Sequence, residues 1–196
     1  MSSRTPSGLA PAEVPNGILF EQALECCSHR YGLSTEAVLL QLEEGDCEMH
    51  STFRYGLAKG LSRYLASLGS VFREVYVYGS SIGESANPAS DIDVIVVVER
   101  RRDEIANLLK RLNLSLTCHY RRLVGLQRGP TSLLDIHVIE KKEQAERSGY
   151  GAVIDGLHSR PICLWRSDPA IAGVSHKGIP PRSSTARSPV PVSTER

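Results

Sequence analysis

Three aspartates in this sequence have the type and spacing of ligands for a divalent cation. Asp91 and Asp93 stand one residue apart at the start of an apolar run, and Asp135 lies inside a second run, LLDIHVI. Because side chains alternate along a strand, Asp91 and Asp93 are expected to point to the same face. Two carboxylates held this close stay ionised only beside a cation. Their hard oxygens favour Mg²⁺, with Mn²⁺ as a substitute.

A third carboxylate would complete a site for two cations. Asp135, from a neighbouring strand, would let two ions lie roughly 3.5–4 Å apart and hold the entering and leaving oxygens of a phosphoryl transfer. Gly79 and Ser80 precede Asp91 by a spacer of ten residues. Gly79 would let the backbone approach a phosphate, and Ser80 would begin a short helix whose free N–H groups face that anion. The same stretch therefore predicts a phosphate site beside the metal site.

Strands are predicted around these residues, with helices between them. Apolar or β-branched runs indicate four strands, at 71–78, 92–98, 133–139 and 161–165. A helix is predicted after the second strand, on the stripe Ile105, Leu108, Leu109 and Leu112. A further strand, running toward Arg121, is predicted from the alternation of Leu114, Leu116 and Cys118. A short helix is expected from about Glu140.

Helical patterns dominate the first part of the chain. One helix is predicted from Ile18, and Ser34 is well placed to cap a second helix that ends before Gly45. A third is predicted on the recurring residues Met49, Phe53, Leu57, Leu61, Leu65 and Leu68. Gly56 and Gly60 lie four residues apart within it, and close packing against a neighbouring element explains both.

These patterns predict an α/β (α+β) fold, in which a mixed, twisted sheet carries the aspartates and helices back it. The predicted organisation is a disordered N-terminus at 1–17, a helical section at 18–69 that packs on the core, a sheet-containing domain at 70–166 and a disordered Ser/Pro-rich tail at 167–196.

Composition and charge exclude several classes of protein. The formal net charge of +1 indicates no particular partner. Five scattered cysteines without a CxxC pair favour free thiols in a reducing compartment over a structural zinc site. The most apolar run, Val94 to Val98, is too short to span a membrane, and the N-terminus lacks the apolar core of a signal sequence. A cytoplasmic location without membrane contact is therefore expected.

The order Gly79-Ser80, spacer, Asp91-Ile92-Asp93 and a later Asp135 resembles the signature of the DNA polymerase β-like nucleotidyltransferases. The ending PASDIDVIVVV is most similar to their minimal nucleotidyltransferase branch, and the resemblance covers about residues 53–165. It implies a palm-type sheet at 70–166 and a two-metal mechanism. Asp91 and Asp93 would then hold both ions, Asp135 would hold the catalytic ion and act as a base, and Gly79 with Ser80 would grip the β- and γ-phosphates.

The activity implied by the resemblance is Mg²⁺-dependent transfer of a nucleoside monophosphate, most simply AMP from ATP, from a nucleoside triphosphate to a hydroxyl, with release of pyrophosphate. The acceptor is left open between a protein, a small molecule and RNA. Basic residues that could approach a nucleotide or an RNA acceptor are Arg121, Arg122 and Arg128. His137 shares the strand face of Asp135 and either borders the site or is a satisfied, half-buried histidine.

The resemblance also implies two alternative roles for this protein. One is an antitoxin-like binding partner of a HEPN-type toxin, acting by contact or by adenylylating that protein. The other, of lower weight, is a small-molecule adenylyltransferase of the aminoglycoside kind, which normally needs an extra helical domain. Relatives in the small branch often carry Arg-Gly in the spacer, where this sequence has Gly83-Glu84. That difference removes a phosphate-facing cation and favours the antitoxin-like role.

Overall fold

The structure, a computed structural model, describes residues 16–125, 127–156 and 160–167. The segments predicted to be disordered, 1–17 and 167–196, fall outside these ranges except for their innermost residues. The elements in chain order are α1 Asn16–Tyr31, α2 Thr35–Glu44, α3 Cys47–Ser67, β1 Phe72–Tyr78, a 3₁₀ turn Gly79–Ser81, β2 Ile92–Val98, α4 Asp103–Val124, β3 Leu134–Glu140, α5 Lys141–Ala145, α6 Gly151–Ile154 and β4 Ile162–Arg166.

The four strands form one mixed sheet in the order β3-β2-β1-β4. β1 runs antiparallel to both β2 and β4, whereas β2 and β3 are parallel. Two parallel neighbours need a crossover connection, and α4 supplies it. This mixed sheet with its helices confirms the predicted α+β class.

The two faces of the sheet are covered very differently. On one face, alternate residues such as Val75, Val77, Val94 and Val96 join the main core, to which α1, α2, α3 and α4 also contribute. The other face carries a smaller cluster made by Tyr76, Ile95, Val97 and Ile139, with Val153 and Ile154 of α6 packed against it. The second face is therefore only partly covered, and its open part is next to the residues of chemical interest.

The N-terminal helices form where their sequence signals predict. Ser34 Oγ accepts a hydrogen bond from Ala37 N at 3.3 Å, and Gly45 ends α2 in the left-handed conformation with φ of +89°. A Cβ at Gly56 would lie 3.0 Å from Ala23 Cα of α1, and one at Gly60 would lie 3.1 Å from Leu19 Cδ2. Both glycines thus allow α1 and α3 to approach closely, as predicted.

One element was predicted wrongly. Residues 114–121 do not form a strand, because α4 continues without a break to Val124. Its buried residues Leu112, Leu116, Tyr120 and Val124 recur every four positions, whereas Leu114 and Cys118 are exposed. The apparent alternation came from taking exposed and buried apolar residues as one set.

In the part of the chain that the structure describes, every helix is too short or too polar to cross a membrane.

Candidate active site

The Gly-Ser turn follows β1 and lies directly beside the carboxylate of Asp93. Tyr78, the last residue of β1, is paired with Asp93 across the antiparallel ladder. Gly79 then adopts φ of +69°, and a Cβ at this position would overlap Asp93 Oδ2. The conformation and the close approach both require glycine. Ser80 lies in the 3₁₀ turn, which begins at Gly79, one residue earlier than expected.

Asp93 and Asp135 occupy matching positions on neighbouring strands. They are in register in the parallel β2–β3 pair, so their side chains lie on the same face of the sheet. Asp91 immediately precedes β2 and is exposed, and its charge acts on Asp93. The fold therefore places Asp93 and Asp135 on the open face, with Asp93 against the Gly79-Ser80 turn and Asp91 close enough for its charge to act on Asp93.

The grouping makes Asp93 hard to ionise. Burial, followed by the charges of Asp91 and Asp135, raises the pKa of the Asp93 carboxyl from its usual 3.8 to about 6. Burial and then the charge of Asp93 also raise the pKa of the neighbouring Tyr78 hydroxyl well above its ordinary value. Smaller opposing effects of His137 and of a backbone hydrogen bond offset this rise in the pKa of Asp93 only in part.

His137 is hydrogen-bonded to Asp135. Its Nε2 donates to Asp135 Oδ2 at 3.1 Å, and its ring stacks on Tyr150 with centroids 3.5 Å apart and an interplanar angle of 14°. The Asp135 side chain remains 49 % exposed, whereas that of His137 is 18 % exposed. His137 is therefore a satisfied, largely buried histidine that contacts Asp135, and a role for it in the chemistry of the site stays a prediction.

The chemistry of this face fits a divalent cation, but the side chains do not form a finished metal site. Across residues 16–125, 127–156 and 160–167, no three His, Cys, Asp or Glu side chains are arranged to hold a metal ion. One oxygen of Asp135 is engaged by His137. The donor set nevertheless consists of hard carboxylates whose repulsion keeps the pKa of Asp93 raised, beside a turn that favours glycine. Metal binding would require the carboxylates to turn toward one another.

Comparison with known families identifies the kind of domain to which this geometry belongs. The family model described as a nucleotidyltransferase domain matches residues 58–170, more than half of the chain. The chain belongs to this family. Comparison of the chain with curated proteins and with solved structures finds no match. The family match confirms the resemblance to polymerase β-like nucleotidyltransferases, and it supports nucleotidyl transfer in general with a nucleotide as substrate.

The spacer between the Gly-Ser turn and Asp91 is supported by a residue of α3. Ser51, which is 2 % exposed, accepts a hydrogen bond from Ala86 N at 3.0 Å. The same hydroxyl lies 2.8 Å from Cys47 O and 3.4 Å from Ser80 O. One buried side chain therefore connects α3 to the Gly-Ser turn and to the middle of the spacer.

The acid in the spacer is paired with a cation from α1. Glu84 has φ of +55°, and its carboxylate lies 2.6 Å from Arg30 Nη2. Both side chains are about half exposed, so the pair contributes little to stability. Glu84 is thus compensated within the nucleotidyltransferase and presents no unpaired negative charge beside the turn.

Arg101 and Arg128 each donate a hydrogen bond to a backbone carbonyl. Arg101 donates to Val138 O at 2.8 Å, at the opposite end of the strands from the aspartates. Arg128 Nη1 donates to Glu43 O at 2.8 Å. Binding of RNA by Arg121, Arg122 and Arg128 stays a prediction.

Sequence patterns missed three residues near the site. Tyr150 was missed because its stacking on His137 depends on a turn, which carries no periodic signal. Ser51 and Arg54 were missed although both interrupt the apolar stripe of α3 and are fully buried. A buried serine and a buried arginine on a core-facing helix need hydrogen-bond partners, and that requirement was the available signal.

Proposed function

We propose that this protein is a divalent-metal-dependent nucleotidyltransferase that moves a nucleoside monophosphate, most simply AMP, from a triphosphate to a hydroxyl acceptor. The observation that carries the proposal is the register of Asp93 with Asp135, beside a Gly79-Ser80 turn that lies against Asp93. This combination offers carboxylates and a phosphate-accessible backbone on the same open face. The family match supports the general reaction.

In the proposed reaction, the acceptor oxygen forms a bond to the α-phosphorus, and the bond from that phosphorus to the bridging β-oxygen breaks. Pyrophosphate leaves with the electron pair, and the hydroxyl proton passes to Asp135, directly or through water. Gly79 and Ser80 bind the β- and γ-phosphates through the backbone and the hydroxyl. His137, through its bond to Asp135 Oδ2, orients the proton acceptor.

Asp91, Asp93 and Asp135 would hold Mg²⁺, or Mn²⁺ in its place. Two such cations, when bound, neutralise the charge that develops on the transferring phosphoryl group and on the leaving pyrophosphate. The contribution of the chain is to present three carboxylates on one face and to keep the turn at Gly79 free of a side chain.

The test is transfer of label from each α-³²P nucleoside triphosphate to a cell lysate with Mg²⁺, using wild type and Asp93→Asn. We expect labelling by wild type, with ATP preferred, and a loss of about a thousandfold in the variant. Asp103→Asn is the matched control, because Asp103 is exposed and lies past the far end of β2. Equal labelling by Asp93→Asn and wild type would rule out the assigned site.

A second candidate role is that of a binding partner for a helical, HEPN-type protein. The observation that favours it is the pair Gly83-Glu84 where relatives of the small branch often carry Arg-Gly, so that their cation is lost and an acid, paired with Arg30, stands beside its position. A HEPN-type reading frame beside the gene, and a stable complex when the two proteins are expressed together, would support this role. Absence of a complex would count against it.

A further inference from the structure

Arg54 is a fully buried cation beneath the loop that leads into Asp91. It lies on α3 with 0 % exposure. Its Nη2 donates to Ser90 O at 2.9 Å and to Pro88 O at 3.3 Å. These two carbonyls belong to the last residues of the spacer, so the guanidinium contacts the backbone immediately before the first predicted metal ligand.

A directed chain of hydrogen bonds through His50 and Tyr120 ends on the same nitrogen, Nη2. Leu42 O can only accept, so His50 Nε2, at 3.0 Å, is the protonated nitrogen. Burial, followed by the charge of Arg54, lowers the pKa of His50 to about 4, so at neutral pH its Nδ1 is an acceptor. Tyr120 therefore donates its hydroxyl hydrogen to His50 Nδ1 at 2.8 Å. The Tyr120 oxygen is left to accept from Arg54 Nη2 at 2.8 Å.

Burying the charged guanidinium of Arg54 costs free energy, and its hydrogen bonds to the loop are what offset that cost. Among the described residues, no carboxylate forms an ion pair with Arg54, and its Nε is buried without a partner. Burial lowers the pKa of the guanidinium, whereas Tyr120 and then the charge of Asp91 act to raise it. A buried charge of this kind is tolerated when strong, well-oriented hydrogen bonds satisfy it.

We propose that Arg54 is a positioning residue for nucleotidyl transfer: its Nη2 holds the carbonyls of Pro88 and Ser90, and thereby sets where Asp91 stands. The proposal rests on the proposed function, in which Asp91 holds the metal. It assigns to Arg54 no contact with substrate or metal. The guanidinium is planar and its Nη1 also donates to His50 O at 3.5 Å, so the hydrogens of Nη2 have fixed directions. A lysine ammonium rotates freely and has no second nitrogen to hold it, so lysine is not an equivalent at this position.

The deciding variant is Arg54→Lys, which keeps the positive charge and removes the planar guanidinium. Arg54→Met, which removes both, and Tyr120→Phe, which removes the oxygen that orients Arg54, extend the series. Arg63→Met is the matched control, because Arg63 is on the same helix and exposed. Thermal unfolding is measured first for each variant. Mn²⁺ affinity from electron paramagnetic resonance, and kcat and KM for the triphosphate, are then measured below the unfolding temperature of that variant.

We expect Arg54→Lys to weaken Mn²⁺ binding about tenfold and to lower kcat at least as much, with little change in KM for the triphosphate. Tyr120→Phe should show a smaller loss in the same direction, and it tests the proposal if Arg54→Met does not fold. Wild-type Mn²⁺ affinity and kcat in folded Arg54→Lys and Tyr120→Phe would overturn the proposal, even if both unfold at lower temperature. Wild-type protein that neither binds Mn²⁺ nor transfers label would instead overturn the proposed function.

Discussion

The two faces of the sheet differ in how their polar groups are satisfied. On the face covered by the helices, β-branched residues are packed, and the buried polar groups His50, Arg54 and Tyr120 are hydrogen-bonded to one another. On the open face, Asp93 and Asp135 stand in register and repel each other. The covered face therefore contributes most of the stability. The open face carries the electrostatic repulsion, which a bound cation can relieve.

The largest expected effect is on the covered face. Phe53 is fully buried, and its ring lies 5.5 Å from that of Phe20 and 6.0 Å from that of Tyr120. Phe53→Ala should lower the free energy of unfolding by about 3–5 kcal/mol, because it leaves a cavity. Urea denaturation measures this. A loss no larger than that of an exposed change such as Leu114→Ala would show that this face does not dominate stability.

Low pH should reduce the stability of the folded protein through protonation of His50, which is buried on the covered face. Its pKa in the folded protein, about 4, lies below its usual 6.5, so the folded state binds fewer protons between these values. The free energy of unfolding should therefore fall as the pH drops from about 6.5 to about 4, by on the order of 2–3 kcal/mol. Denaturation across this range checks it. The pH dependence should be flatter in His50→Gln, and an equally steep one there would exclude His50 as the source.

Gly79→Ala tests the point at which the turn meets Asp93. The added Cβ would overlap Asp93 Oδ2 and would also face an unfavourable φ of +69°. We expect a loss of about 1–3 kcal/mol in stability and of at least a hundredfold in nucleotidyl transfer. Gly69→Ala is the control, because its φ is also positive, at +113°, but nothing lies within 4 Å of its Cβ position. Equal activity losses in the two variants would remove the special role of Gly79.

The smallest effect is the most informative about the open face, because a change that removes activity should stabilise the metal-free protein. The pKa of Asp93, about 6, exceeds its usual 3.8, so the folded state binds more protons in this window and loses stability as the pH rises through it. Asp93→Asn should then raise the free energy of unfolding at pH 7.5 by about 1 kcal/mol, reduced by partial exposure to solvent. The gain should vanish near pH 4. A less stable variant at pH 7.5 would contradict the repulsion.

Sequence patterns predicted the strands of this protein better than its long helix. The bounds of β2 were predicted at Ile92–Val98 because a β-branched run between turn residues admits one interpretation. In α4, exposed Leu114 and Cys118 created an alternation that competed with the helical spacing of Leu116 and Tyr120. Local periodicity cannot resolve such a conflict, because burial is decided by packing.

The sequence was enough to select the aspartates of the candidate site, but not to show how they are arranged in space. Asp91, Asp93 and Asp135 are recognisable as residues, but the register of β3 against β2 comes from pairing across forty residues and is not visible in either segment. The bond between Asp135 and His137 and the support of the spacer by Ser51 and Arg54 also depend on tertiary contacts.

The central claim is that repulsion on the open face is relieved by divalent cations, and thermal unfolding with Mg²⁺ tests it most directly. At pH 7.5, 10 mM Mg²⁺ should raise the unfolding temperature of wild type and of Asp103→Asn by several degrees, if the dissociation constant is about 1 mM. The rise should be small in Asp93→Asn and in Asp135→Asn. An equal rise in all four proteins, or none in wild type, would contradict the account.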